Sequence, residues 1–163
     1  MKTITQQSAK EAGQLLQLVC FNLADEEYGI DINYVQEVIR VQKITPVPQM
    51  PPSVLGVINI RGDIVTVFDL RKQFGLPEKP FSESTKILVM RINKTTLGVI
   101  VDQILDNLKL EQGQIDPAPE VRLRIDKECI NGLGQTGDRM IIIVNLAAID
   151  HMLRKEISAK RPL

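Results

Sequence analysis

Two blocks of this sequence occur twice, in the same order. Glu27-Tyr28-Gly29-Ile30-Asp31-Ile32-Asn33 is matched by Thr96-Leu97-Gly98-Val99-Ile100-Val101-Asp102: in each, Gly follows Tyr or Leu and opens a strand-like run ending in Asn or Asp. Further on, Gly56 lies over Gly132, and Ile64-Val65-Thr66-Val67-Phe68-Asp69-Leu70 lies over Met140-Ile141-Ile142-Ile143-Val144-Asn145-Leu146. The offset differs slightly between the blocks, as a change in loop length produces. An internal repeat restricts the fold to two similar units that share or exchange structure.

Each unit reads mostly as β. Residues 17–23, 28–32 and 64–68 are strands in the first, and 85–92, 96–101 and 140–144 in the second. All are short, rich in Ile and Val, and separated by turn residues. Asn93-Lys94-Thr95, Arg61-Gly62-Asp63 and Thr136-Gly137-Asp138 are expected as tight turns. Asp69 and Asn145 hold the same repeat position and are expected as helix N-caps. The first helix, 70–74, stops at Gly75. The second carries Leu146, Ile149, Leu153 and Ile157 on one face, an amphipathic C-terminal helix packed on the body.

The runs at 64–68, 87–92 and 140–144 are apolar nearly throughout rather than alternating. A small closed barrel buries only its inner face. Their outer faces therefore need cover, and two small barrels packed on a common core supply it. One half alone, at about 70 residues, has a marginal core. The boundaries expected are a mobile tail over 1–14, a first barrel over 15–83, a second barrel with the C-terminal helix over 84–157, and a tail over 158–163. Thr45–Pro52 holds four prolines in eight residues and reads as a stiff, extended surface loop.

Chemistry is sparse. His151 is the only histidine and falls on the solvent side of its helix, so neither a metal site nor a histidine-based nucleophile site has a partner set. Cys20 and Cys129 stand in apolar surroundings and read as buried, reduced thiols. Gly132-Leu133-Gly134-Gln135-Thr136-Gly137 fits the spacing of a dinucleotide loop, but it runs into a strand-forming segment where that loop needs a helix. No cofactor or metal is expected, and no enzyme activity. Lys+Arg and Asp+Glu are both 20, and aromatics make up 4%, which argues against a nucleic-acid binder built on Lys43, Arg122, Arg124 and Lys127. The start of the chain reads as no signal peptide, and no run is long and apolar enough to span a membrane. The expected location is the cytoplasm. What remains is surface suited to proteins: Val35, Glu37 and Val38 mix apolar and acidic groups, and Arg61 stands at a hairpin tip.

The segments Asp25–Ile32, Val35–Val38, Gly56–Leu70, Gly98–Asp102, Ile115–Glu120, Gly132–Gly134 and Gly137–Leu146 together resemble the CheW-type chemotaxis coupling proteins, over nearly the whole chain. Ile60 and Thr66 stand where that family usually has Leu and often Pro. The resemblance implies two five-stranded SH3-like barrels on a shared apolar core and no catalysis. It implies an adaptor bridging the cytoplasmic tip of methyl-accepting chemotaxis proteins to the regulatory domain of the histidine kinase CheA, within membrane-associated arrays and without membrane insertion. A related adaptor of another motility or chemosensory pathway fits the same residues. The family's receptor-binding positions fall on Val35, Glu37, Gly56, Arg61, Gly98 and Gly132. Its kinase contacts suggest Arg40, Val41, Lys43 and Ile44.

Overall fold

The computed structural model describes residues 15–117 and 126–160. The expected N-terminal tail lies outside them, as do Arg122, Arg124 and the end of the expected C-terminal tail. Eleven strands form two sheets among the described residues. They are β1 (Leu16–Leu23), β2 (Glu26–Asp31), β3 (Val35–Arg40), β4 (Val54–Ile60), β5 (Asp63–Asp69), β6 (Lys86–Ile92), β7 (Thr95–Val101), β8 (Gln103–Leu110), β9 (Ile115–Asp116), β10 (Ile130–Thr136) and β11 (Arg139–Val144). Two helices, α1 (Leu70–Gln73) and α2 (Leu146–Lys160), follow β5 and β11.

One sheet has the order β3-β6-β7-β5-β4 and the other β8-β1-β2-β11-β10-β9. The sixth strand of the second sheet is only the two residues of β9, so the expected five-stranded barrels hold apart from this addition. The expected cut at 83/84 does not separate them. The hairpin β6–β7, from the second half of the chain, sits in the sheet of β3, β4 and β5, while the hairpin β1–β2 sits with β8 to β11. Each repeat thus lends its first hairpin to the other's barrel. The sequence repeat is real, but the two barrels are exchanged rather than consecutive. The parallel pairs β5–β7 and β11–β2, which join the halves, could not be read from a repeat that records only local pattern.

Exchange explains the apolar strands. Ile87 and Val89 of β6 point into the five-stranded barrel with Val65, Val67, Ile58 and Ile100. Leu88, Met90 and Ile92, on the other face of β6, join Phe21, Tyr28, Val99, Ile142 and Leu153 in a core shared by both barrels. In β11, Ile141 and Ile143 fill the six-stranded barrel beside Leu18, Cys20 and Leu110, while Ile142 and Val144 face the shared core. A strand with a barrel interior on one side and the second barrel on the other has no solvent face, so period-2 alternation disappears. Ile64 and Met140, equivalent in the repeat, are exceptions and stay 65% and 48% exposed.

Both barrels close in the same way. After β3 the chain reaches across to β4, where Thr45 and Val57 exchange two backbone hydrogen bonds of 2.9 Å. In the other barrel β9 pairs with β10 through Leu133 and Gly134. At each closure the strand bulges beside a glycine, Gly56 (φ +148°) and Gly132 (φ +159°). A Cβ on Gly56 would lie 2.2 Å from the Thr45 carbonyl oxygen, and one on Gly132 would lie 2.9 Å from that of Asp116. Both positions therefore require glycine for close backbone approach as well as for their positive φ.

Asp69 caps α1 by accepting from the Arg71 amide at 2.9 Å, and Asn145 accepts from the Ala148 amide at 3.1 Å. The second helix runs to Lys160, past the end expected at 157, and Leu146, Ile149 and Leu153 are buried on its inner face. The glycine-rich stretch is β10 as far as Thr136, and Gly137 opens the two-residue turn into β11.

Candidate functional site

The β4–β5 hairpin ends in a two-residue turn in which Arg61 (φ 49°) and Gly62 (φ 91°) are both left-handed, the arrangement that matches strand twist. Asn59 steadies it, its Oδ1 accepting from the Gly62 amide at 2.9 Å. The turn aims Arg61 at the outer strand β3, where its guanidinium pairs with the Glu37 carboxylate. Glu37 follows a bulge between Val35 and Glu37 in the β3–β6 ladder. The pair spans the seam where the first and last strands of the barrel meet. The Arg61 side chain is 74% exposed and that of Glu37 27%, so the guanidinium remains available from solvent. Donation to Glu37 raises the Arg61 pKa, and the group is a fixed cation at any physiological pH. Val38 is exposed on β3, and Ile64 on β5, the neighbour of β4. Arg is a residue type enriched among interface anchors.

The second barrel has an ion-pair cluster of its own, with the arginine supplied from a different repeat position. Arg139, at the start of β11, donates to Asp106 on β8 through two bonds of 2.9 Å, and to Glu27 on β2 at 2.8 and 3.1 Å. Asp106 holds the place that Glu37 holds on β3, and Met140 that of Ile64. Arg139 holds the Asp106 carboxyl below its usual range, although burial opposes this.

The six expected receptor-binding positions separate into two kinds. Glu37 and Arg61 form the ion pair, with Val35 half-buried at the start of the same strand and packed against the shared core. The three glycines are structural. Gly56 lies beneath Thr45, Gly132 beneath Asp116 in the other barrel, and Gly98 inside the five-stranded barrel, where a Cβ would lie 2.9 Å from Ile87. Of the expected kinase-contact residues, Arg40 and Lys43 are exposed, while Val41 and Ile44 pack against the interior of the five-stranded barrel. Sequence reasoning missed Ile64, exposed within an apolar run, and the acidic partners of Arg139. The repeat was an available signal for one of these partners, since Asp106 aligns with Glu37. Lys127 is exposed, but the rest of the expected basic set lies outside the described residues apart from Lys43.

Among the described residues, nothing in this site is arranged for bond making. They hold no group of three or more His, Cys, Asp or Glu placed to bind a metal, and no helix among them is long and apolar enough to cross a membrane. His151 is exposed, and Cys20 and Cys129 are buried free thiols. Burial pushes the Cys20 thiol up to about 11 and raises that of Cys129.

Two exchanged SH3-like barrels with ion pairs at their surfaces define a non-catalytic scaffold of the chemotaxis-adaptor class. The sequence profile of the CheW-like domain matches residues 17–152, and the chain belongs to that family. It is 36% identical to the chemotaxis protein CheW of Klebsiella aerogenes, over 90% of this chain and 87% of that one. It is 33% identical to CheW of Helicobacter pylori, over 88% and 84% of the two chains. The crystal structure of the scaffolding protein TtCheW from Thermoanaerobacter tengcongensis superimposes with a TM-score of 0.75 at 37% identity, covering 81% of this chain and 85% of that one.

Proposed function

We propose that this protein couples the cytoplasmic tip of methyl-accepting chemoreceptors to the regulatory domain of the histidine kinase CheA, in the cytoplasm, reaching the membrane only through its partners. The Arg61–Glu37 pair supports this reading most directly. It is a fixed, solvent-accessible cation at the end of the five-stranded barrel, whose strands β3 and β5 also expose Val38 and Ile64. A helical receptor tip offers an amphipathic face, and such a face is met by apolar contact with a charged rim. Val35, Glu37 and Arg61 are the receptor-contact residues in this reading, and Gly56, Gly98 and Gly132 keep the barrels that present them in shape. Arg40 and Lys43 are the exposed members of the kinase-contact segment, supported from beneath by Val41 and Ile44. Engaging two partners at once converts modest single affinities into a durable assembly.

Arg61→Ala and Glu37→Ala test the assignment. Each is expected to weaken binding to a receptor-tip fragment by more than about 1 kcal/mol. A solvent-exposed pair contributes little to stability, so the melting temperature should fall only slightly. Unchanged receptor affinity in both variants contradicts the assignment.

A further inference from the structure

The backbone passes between the barrels at two equivalent places, and only one of them is fastened by a buried ion pair. Asp102 is the single residue between β7, in the five-stranded barrel, and β8, in the six-stranded one. Its carboxylate receives a two-pronged donation from Arg71 of α1, Nε to Oδ1 at 2.9 Å and Nη2 to Oδ2 at 2.7 Å. The same Oδ2 accepts from the Ala24 amide at 2.9 Å, and the Asp102 amide donates to the Asn22 carbonyl at 3.0 Å. The third prong of Arg71, Nη1, donates to the Pro77 carbonyl at 2.5 Å. Four segments therefore meet on one ion pair: the β1–β2 turn, α1, the joint between the repeats, and the β7–β8 crossing. Both side chains are about nine-tenths buried, at 10% and 11% exposure.

The other crossing, from β2 to β3, runs through a single 3-10 turn at Ile32–Tyr34. In the repeat, Asn33 stands where Asp102 does, and Ala147 stands where Arg71 does. Asn33 and Ala147 are both exposed. The side-chain bond at this crossing is a local one, from the Asn33 amide to Asp31 at 2.9 Å.

We infer that Arg71 and Asp102 form a clasp that fixes the angle between the two barrels at the β7–β8 crossing, leaving the β2–β3 crossing as the compliant one. The shared apolar core holds the barrels together but is non-directional. A bidentate guanidinium–carboxylate pair is directional, and each group is a positioning residue for the backbone it binds. This inference does not depend on which partners the protein binds.

The test uses the full chain with Arg71→Met, which keeps the long apolar stem and removes the fork. Spin labels on cysteines introduced at exposed Lys43 and Gln135, one in each barrel, report the inter-barrel distance, with both native thiols buried. The distance distribution is expected to broaden or shift. Amide exchange at Ala24 and Asp102 should accelerate by about tenfold or more while Val99 and Ile142, in the shared core, stay protected. Arg71→Lys keeps the charge without the fork and should not restore the native distribution. Should Arg71→Met fail to fold, Asp102→Asn serves in its place, because it keeps the size and the acceptor for Ala24. A native distance distribution with native exchange at both amides, in a variant without the pair, overturns the inference. So does full restoration by Arg71→Lys.

Discussion

At the residue scale, glycines of one sequence type have different roles. Gly56 is wedged against the Thr45 carbonyl, whereas a Cβ added to Gly62 would meet no atom within 4 Å, so Gly62 needs glycine only for its φ of +91°. Gly62→Ala should therefore cost about 1 kcal/mol, and Gly56→Ala clearly more, at least about 2 kcal/mol, in denaturant unfolding. Equal costs would show that the Thr45 closure yields easily. The buried charges give a pH prediction. Burial pushes the Asp102 carboxyl up, but donation from Arg71 and the Ala24 amide outweighs it and holds the group below its usual range. A carboxylate whose pKa is depressed on folding stabilises the native state above its unfolded value, about 4, and that contribution is lost as pH falls through the folded pKa. Stability should therefore decline below about pH 4, and less steeply in Asp102→Asn. A variant that loses stability as steeply as the parent contradicts this. The thiols were legible from their apolar neighbours. The Arg71–Asp102 pair was not: Asp102 ends a repeat block, but its repeat equivalent is Asn33 and its partner lies 31 residues away, so nothing local announces the ion pair.

At the element scale, the hairpins and both N-caps were readable because their signals are local: a turn residue with positive φ, or an Asp or Asn before an apolar helix. The strands β3, β4, β8, β9 and β10 were not. Their residues mix polar and apolar types, and pairing decides their state: β3 lies at the outer side of β6, β8 at the outer side of β1, and β9 is two residues held by β10. The exposed turn residues Asn93 and Lys94 are both left-handed, at φ 48° and 68°. Replacing Lys94 with Gly in this two-residue turn should stabilise the hairpin by a few tenths of a kcal/mol to about 1 kcal/mol, seen as a higher denaturation midpoint. A lower midpoint would mean that the unfolded chain gains more from the glycine than the turn does. Ile64 and Met140 show where local pattern misleads, since apolar runs predict burial at positions the structure leaves open.

At the scale of the whole molecule, the duplication was visible but the exchange of hairpins was not, because a repeat in sequence says nothing about which copy pairs with which. The exchange has a direct consequence. Residues 15–83 alone would present β1 and β2 without β8 and β11, and β3 to β5 without β6 and β7. Each half is expected to be unfolded by circular dichroism, and the two mixed together to recover β structure. A folded, monomeric single half would contradict the exchanged topology. The shared core that follows from exchange also makes the two barrels one body, which suits a scaffold that must hold two partners at a set separation. The central claim is that this body binds both partners together. It is tested most directly by titrating the protein with the regulatory domain of a CheA kinase from the same organism, then adding a receptor-tip fragment. Saturable binding of each, with neither displacing the other, is the predicted result. Binding to neither by a folded protein, or mutual exclusion, would contradict it.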